Sequence, residues 1–298
     1  MSLNVEITQT GLIKKTLPLE VILGDELDYG TFATGYLLEE RQLGDTSFIA
    51  YNPKCIARGF SVEWTEKEKH KVSLSLPLYT TDGDIADFMH CVKRITDYWN
   101  GCKVTVDDEP TTAEEFLQRF DELCALCADH LRSTMQQILD GECQSFILIS
   151  AKLPLSFGTE EARNILTAGD SMAALADFLH EKQSLDAFYP TPRFYKLDDS
   201  EILGVICYFN GIRCILPTEP TVPFGITAPD GQALKPDRWT ALVSTDGKSP
   251  SMTFDGYTPL LEHLPKEKCS RFDGGHIVVE ALTPEEHEAL AAAADKQE

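Results

Sequence analysis

The sequence predicts an α+β protein: mostly antiparallel sheets built from hairpins, with amphipathic helices packed on them. Three observations lead there. Phe60, Val62 and Trp64 alternate with Ser61 and Glu63, and Val72, Leu74 and Leu76 alternate with Ser73 and Ser75. That period of two marks strands with one buried face. Ile85, Phe88, Met89, Val92, Ile95 and Trp99 recur at helical spacing. Asn210-Gly211, between Ile202–Phe209 and Ile212–Leu216, is the strongest short hairpin signal in the chain.

The other elements follow in order. Short strand-like segments open the chain at Leu3–Ile7, Leu17–Leu23, Tyr36–Glu40 and Phe48–Tyr51. The charged stretch Thr65–Lys71 reads as a hairpin loop, and Asn100-Gly101 stops the first long helix. Lys103–Val106 is a strand. Thr112 and Glu115 form a capping-box pattern, each side chain serving the other's free backbone amide. The helix behind it carries Phe116, Phe120, Leu123, Leu131, Met135 and Ile138 and ends near Gly141. Phe146–Ser150 is a strand, and Thr159–Thr167 and Ser171–Lys182 are helices. Tyr189–Lys196 and the five-proline stretch Pro217–Asp237 are loops. Trp239–Thr245 and Ser251–Tyr257 form a further hairpin, His276–Leu282 a strand, and Pro284–Lys296 a last helix with proline in its first turn. The expected division is an N-terminal α+β domain over 1–142 and a C-terminal one over 143–298, with a single domain as the alternative. Leu76-Pro77-Leu78 followed by Ala86-Asp87-Phe88 resembles Leu153-Pro154-Leu155 followed by Ala176-Asp177-Phe178. The unequal spacings favour chance over duplication.

Composition excludes several classes. With 26 basic and 48 acidic residues the formal charge is −22. Such a surface repels phosphate backbones and anionic membranes, so no nucleic acid and no membrane are expected as partners. A basic protein is the kind of partner it would attract, although acidity also serves solubility alone. No apolar run approaches the ~20 residues of a membrane span. The start, Met1-Ser2-Leu3-Asn4-Val5-Glu6, lacks the basic and apolar regions of a signal peptide, which points to the cytoplasm. Nine irregularly spaced cysteines do not form a secreted disulfide framework and fit free thiols.

A few residue groups suggest chemistry. Cys124, Cys127 and His130 follow at intervals of three on one helix and can share a face, a zinc-like ligand set. A fourth ligand is lacking, and cysteine is a common small core residue, so the expectation is no metal and no cofactor. A two-residue turn at Asn210-Gly211 would set Cys207 opposite Cys214 on the core face beside Val205, Phe209, Ile212 and Leu216, unbonded. Gly169-Asp170-Ser171-Met172 resembles the nucleophile block of GDS-type hydrolases, but Asp170 or Ser171 at that place is a natural helix N-cap. Asp273-Gly274-Gly275-His276 sets an acid and an imidazole on a tight loop, which is also ordinary turn chemistry. His90 and Cys91, neighbours on a helix, point about 100° apart and form no dyad. There is no GxGxxG, GxxxxGK[ST], GxSxG, HExxH or EF-hand loop.

Ala57-Arg58-Gly59-Phe60-Ser61-Val62, Leu74-Ser75-Leu76-Pro77 and the Asp84–Trp99 helix together resemble a bacterial family of about 300 residues, domain of unknown function 4299. The resemblance is carried by the first half of the chain. It implies a bacterial origin and no activity, because these motifs are structural. The expected function is a non-enzymatic cytosolic binding or interaction protein. The alternative is a hydrolase-type enzyme with a site assembled from loop Asp, His or Cys residues.

Overall fold

A computed structural model describes residues 2–65, 67, 70–197, 201–228, 231–245 and 251–295. Its contacts divide the chain into two compact units, Met1–Ser184 and Leu185–Glu298. The protein is α+β, with eight α-helices and seventeen strands among the described residues.

In the first unit the strands are β1 Ser2–Gln9, β2 Asp28–Phe32, β3 Leu38–Glu40, β4 Ser47–Tyr51, β5 Phe60–Glu63, β6 Lys71–Pro77, β7 Cys102–Val106, β8 Glu109–Thr111, β9 Phe146–Ile149 and β10 Pro154–Phe157. The helices are α1 Leu19–Leu23, α2 Asp82–Trp99, α3 Ala113–Leu117, α4 Phe120–Leu139, α5 Thr159–Thr167 and α6 Ser171–Gln183. Strands β1 to β8 form one antiparallel sheet in the order β3-β2-β4-β5-β6-β1-β7-β8, and β9 pairs with β10. The alternation in β5 and β6 is a true hairpin register, Val62 opposite Leu74 and Ser61 opposite Ser75. Helix α2 buries Ile85, Phe88, Met89, Val92, Ile95 and Trp99. Phe88 meets Phe60 of the sheet edge-to-face at 5.2 Å and Phe116 of α3 at 6.1 Å. Thr81 caps α2 by accepting from the Asp84 amide, and Asn100 ends it in the left-handed conformation.

Two expectations in this unit need correction. Leu17–Leu23 is not a strand; Leu19–Leu23 is a helical turn. Arg94 of α2 donates to the Val21 and Ile22 carbonyls (3.2 and 2.7 Å), serving acceptors that a short helix leaves open. The single helix expected behind Thr112 is two, because Arg119, with ψ 7°, breaks the helical run between α3 and α4. The capping box itself is formed, Glu115 N to Thr112 Oγ1 at 3.1 Å and Thr112 N to Glu115 Oε2 at 3.0 Å. The contact division falls after Ser184, where the sequence suggested 142. Helices α5 and α6 pack on α4, and the β9–β10 turn is tied to the β4–β5 loop through Ala151 N to Ala57 O at 2.9 Å. Of the two similar segments, the first Ala-Asp-Phe lies in the helix directly after its strand; the second lies in α6, one helix further on.

In the second unit the strands are β11 Arg193–Lys196, β12 Ile202–Phe209, β13 Cys214–Pro217, β14 Arg238–Ser244, β15 Met252–Phe254, β16 Cys269–Arg271 and β17 His276–Val279, with helices α7 Thr258–His263 and α8 Pro284–Ala294. Two sheets form, β11-β12-β14-β15 and β13-β17-β16. Ile206, Tyr208, Cys214, Leu216, Val243 and Phe254 are core residues here. The expected β14–β15 hairpin pairs as such, and part of its turn lies outside the described residues. Strand β11 lies within the segment read as a loop.

The Asn210-Gly211 hairpin does not form. Strand β12 pairs with β11 and, in parallel, with β14, whereas β13 pairs with β17. A type I′ turn needs positive φ at both central residues, and neither Asn210 nor Gly211 has it. Asn210 instead ties two other segments, donating from its amide to Ser244 O (3.1 Å) and accepting from Leu282 N (2.8 Å). Cys207 and Cys214 therefore belong to different sheets. Cys207 is half-buried, and Cys214 is buried with its thiol donating to Phe209 O at 3.2 Å.

One position makes the dependence on backbone conformation testable. Gly59 has φ +64°, and a Cβ there would meet Ala50 O at 2.4 Å. Gly59→Ala adds about 1–3 kcal/mol of backbone strain to that clash. The expected result is a clearly lowered thermal melting temperature with the far-UV spectrum retained. An unchanged melting temperature would show that the loop has another conformation open to it.

Candidate functional site

Strand β1 leaves the sheet at Gln9, and the chain re-enters the core at Leu17. The loop between is pinned at its base by a buried side chain. Gln9 Oε1 accepts from Lys15 N (2.9 Å) and Gln9 Nε2 donates to Lys15 O (3.0 Å), so the amide substitutes for a strand partner. Trp99 Nε1 donates to the same Lys15 carbonyl at 3.1 Å, and Thr10 N donates to Gly101 O at 3.0 Å. The Lys14 ammonium donates to the Gln9 carbonyl, and the Lys15 ammonium lies 5.7 Å over the Tyr98 ring. Leu12 and Ile13 stand at the tip, 105% and 86% exposed. Single exposed aliphatic side chains are ordinary. Two adjacent ones on a loop held by six polar or cation–π contacts form a fixed apolar knob, the kind of feature that marks an interaction site.

A groove of about 290 Å³, lined by Leu43, Gly44, Asp45, Trp64, Thr65 and Lys67, opens at the same end of the sheet. The register fixes that shared end: Ser47 lies opposite Glu63, and Thr8 opposite Lys71. Trp64 also reaches the knob's own segment, its Nε1 donating to Leu17 O at 2.9 Å.

A buried polar clasp lies where the β4–β5 loop meets the start of α2. The Asp84 carboxylate accepts from Arg58 N (2.8 Å), Gly59 N (3.1 Å) and the Thr80 hydroxyl. The Arg58 guanidinium donates to three carbonyls, Leu78 (2.8 Å), Tyr79 (3.3 Å) and Ile149 (2.9 Å). Burial lowers the Arg58 pKa to about 10 against the pull of Asp84, and burial raises that of Asp84 against its donors. Gln183 adds a bond to Ala57 O (2.8 Å), and His180 Nδ1 accepts from Ile56 N at 3.0 Å. These bonds tie the β4–β5 loop to the start of α2, to the end of β6, to β9 and to α6, an architectural role. The clasp contains Ala57-Arg58-Gly59 and Asp84, residues that carry the family resemblance.

In the second unit the Asp273–His276 loop gains a third member that the sequence did not suggest. His276 Nδ1 lies 2.8 Å from Asp273 Oδ1, and His276 Nε2 lies 2.8 Å from the Tyr189 hydroxyl. Gly275 N donates to the same Asp273 oxygen at 2.8 Å. With the imidazole neutral, Tyr189 donates to Nε2 and Nδ1–H donates to the carboxylate, a hydroxyl–imidazole–carboxylate chain. Burial pushes the Tyr189 phenol up, with Asp273 adding to the shift.

Of the remaining sequence candidates, Cys124, Cys127 and His130 lie on α4. Cys127 is buried, Cys124 is half-buried, and His130 stacks edge-to-face on Tyr79 at 5.3 Å. Burial, with Asp82 beside it, pushes the Cys124 thiol up to about 12. Among the described residues no group of three or more His, Cys, Asp or Glu is arranged to hold a metal ion. All nine cysteines are free. Burial raises seven of them, Cys55, Cys91, Cys102, Cys124, Cys207, Cys214 and Cys269. A nucleophilic cysteine needs the opposite shift. Asp170 is an N-cap, accepting from Met172 N (3.0 Å) and Ala173 N (3.1 Å), so the Gly-Asp-Ser block is a helix start.

Sequence reasoning passed over Leu12 and Ile13. The signal was an aliphatic pair followed by Lys14-Lys15 in a stretch without periodicity, and only the Gln9 anchor gives it shape. No helix among the described residues is long and apolar enough to cross a membrane. No curated protein and no solved structure matches the chain. A family model does, over residues 2–290 of 298, and the chain belongs to that family, the domain of unknown function DUF4299.

Proposed function

We propose that this is a non-enzymatic interaction protein of the bacterial cytosol. The observation that carries the reading is the anchored Leu12–Ile13 knob, an apolar contact surface with no structural duty in its own fold. Exposed, pre-organised aliphatic anchors bind by entering a partner's pocket, with little ordering cost on the presenting side. The nine free thiols support a reducing compartment, and the bacterial origin rests on the family resemblance. The charge of −22 supports a protein partner over nucleic acid. Cys124, Cys127 and His130 lie together on α4 without a fourth ligand among the described residues, and we assign neither metal nor cofactor.

Pull-down from the host with the wild type and with Leu12→Ser/Ile13→Ser tests the reading. The expected result is a protein retained by the wild type, another copy or a different chain, and lost at least tenfold in the variant. Equal recovery with both would overturn it.

A second reading, a hydrolase, is favoured by the Asp273–His276–Tyr189 chain alone. There the imidazole nitrogen that would act as base is occupied by a largely buried phenol, which argues against it. Ester turnover by the wild type that disappears in His276→Ala would establish the enzyme instead.

A further inference from the structure

We propose that the protein pairs with a second copy of itself across the rim that carries both knob and groove, the Leu12–Ile13 tip of each copy entering the Leu43/Trp64 groove of the other. This rests on the interaction reading and names its partner.

Three observations support the pairing. The first is placement. Knob and groove share one end of the sheet, and the strand order β4-β5-β6-β1 puts the knob two strands from β5. At ~4.8 Å per strand that offset is about 10 Å. A surface carrying a projection and a recess side by side is self-complementary, which is what a two-fold interface requires. A projection and recess on opposite faces would give open chains instead.

The second is fit. An apolar space of about 150 Å³ accommodates a benzene-sized group, so a groove of about 290 Å³ admits two aliphatic side chains. Leu43, itself 40% exposed, would lose water to them, and Trp64, only 7% exposed, forms the floor beneath.

The third is charge. The chain as a whole is strongly acidic, so two copies repel at long range. The contact avoids that repulsion locally: the knob brings Lys14 and Lys15, and the groove carries Asp45 balanced by Lys67. Few side chains take part, so the interface is small and the pairing weak and concentration-dependent.

Sedimentation velocity on the full chain, over about 10 μM to 1 mM, tests it. The expected result is a monomer–dimer equilibrium that tightens severalfold between about 0.05 and 0.5 M salt, as screening removes the long-range repulsion. Leu12→Ser/Ile13→Ser and Leu43→Ser should each weaken it at least tenfold with unchanged melting temperatures, because all three residues are exposed. An equimolar mixture of the two variants should associate more tightly than either alone, since one intact knob then meets one intact groove. A monomer throughout the range, a dimer indifferent to both variants, or open-ended polymers would overturn the proposal. A monomeric wild type whose knob still governs capture of a different protein would overturn self-association and leave the interaction reading standing. A knob without effect in either assay would overturn both.

Discussion

Asp84→Ala is expected to destabilise the protein by about 3–5 kcal/mol, the cost of removing one partner from a buried charged network. The carboxylate has two duties. It accepts from the Arg58 and Gly59 amides and from the Thr80 hydroxyl, and alanine leaves those buried donors without an acceptor. It is also the negative charge beside Arg58, whose guanidinium otherwise faces only neutral carbonyls. Asp84→Asn should cost less but remain clearly destabilising, because an amide has one acceptor oxygen and turns an N–H₂ toward backbone donors. The pH dependence follows from the direction of the shift. Asp84 is raised when folded, whereas in the unfolded chain it titrates near 3.9. Its contribution is full below that value and declines as pH rises through the folded pKa. Urea unfolding of the wild type and Asp84→Ala should show the gap between them narrowing as pH rises above about 4. A gap that widens would mean that the three donors outweigh desolvation. A variant as stable as the wild type would show that water replaces the carboxylate.

How much was legible in the sequence depends on whether the deciding interaction was local. The alternation of β5 and β6, helix α2 with its Asn100 stop, the Thr112 capping box and the Asp170 cap were all readable, because each is set by residues close together in the chain. The failures have the opposite character. Leu19–Leu23 is helical because Arg94, more than seventy residues away, takes its last carbonyls. Asn210-Gly211 has the strongest local turn preference in the chain and does not form that turn. Strand β12 is instead flanked by partners on both sides, β11 and β14, and the tertiary pairing outweighs the turn. The same rule governs the sites. The Asp-Gly-Gly-His loop could be seen, but the Tyr189 that completes its chain lies 87 residues away. Leu12 and Ile13 carry no periodicity, so nothing marks them until the Gln9 amide is seen closing the loop beneath them.

In the second unit Asp273→Ala should cost about 2–5 kcal/mol, with His276 and Tyr189 sharing the loss. The Asp273 side chain is fully buried and His276 nearly so, at 12% side-chain exposure. Removing the carboxylate strands the Gly275 amide and the His276 Nδ1–H at once. The effect propagates because the imidazole loses the bond that fixes its tautomer, and with it the acceptor for Tyr189. Tyr189 follows Phe188, whose amide donates to Arg213 O (2.9 Å) and whose carbonyl accepts from Ile215 N (2.8 Å). The chain therefore pins the entry segment of the unit to the β16–β17 loop. The ordering of variants follows from what each leaves unpaired. Asp273→Asn keeps one acceptor and should cost about half as much. Tyr189→Phe removes a single donor, and about 1 kcal/mol is expected. His276→Ala should fall close to Asp273→Ala, and the double variant should cost much less than the sum, because both remove the same chain. Urea midpoints for the four single variants and the double one decide the matter. Strict additivity between Asp273→Ala and His276→Ala, or a Tyr189→Phe cost equal to that of Asp273→Ala, would show that the three side chains do not act as one connected chain.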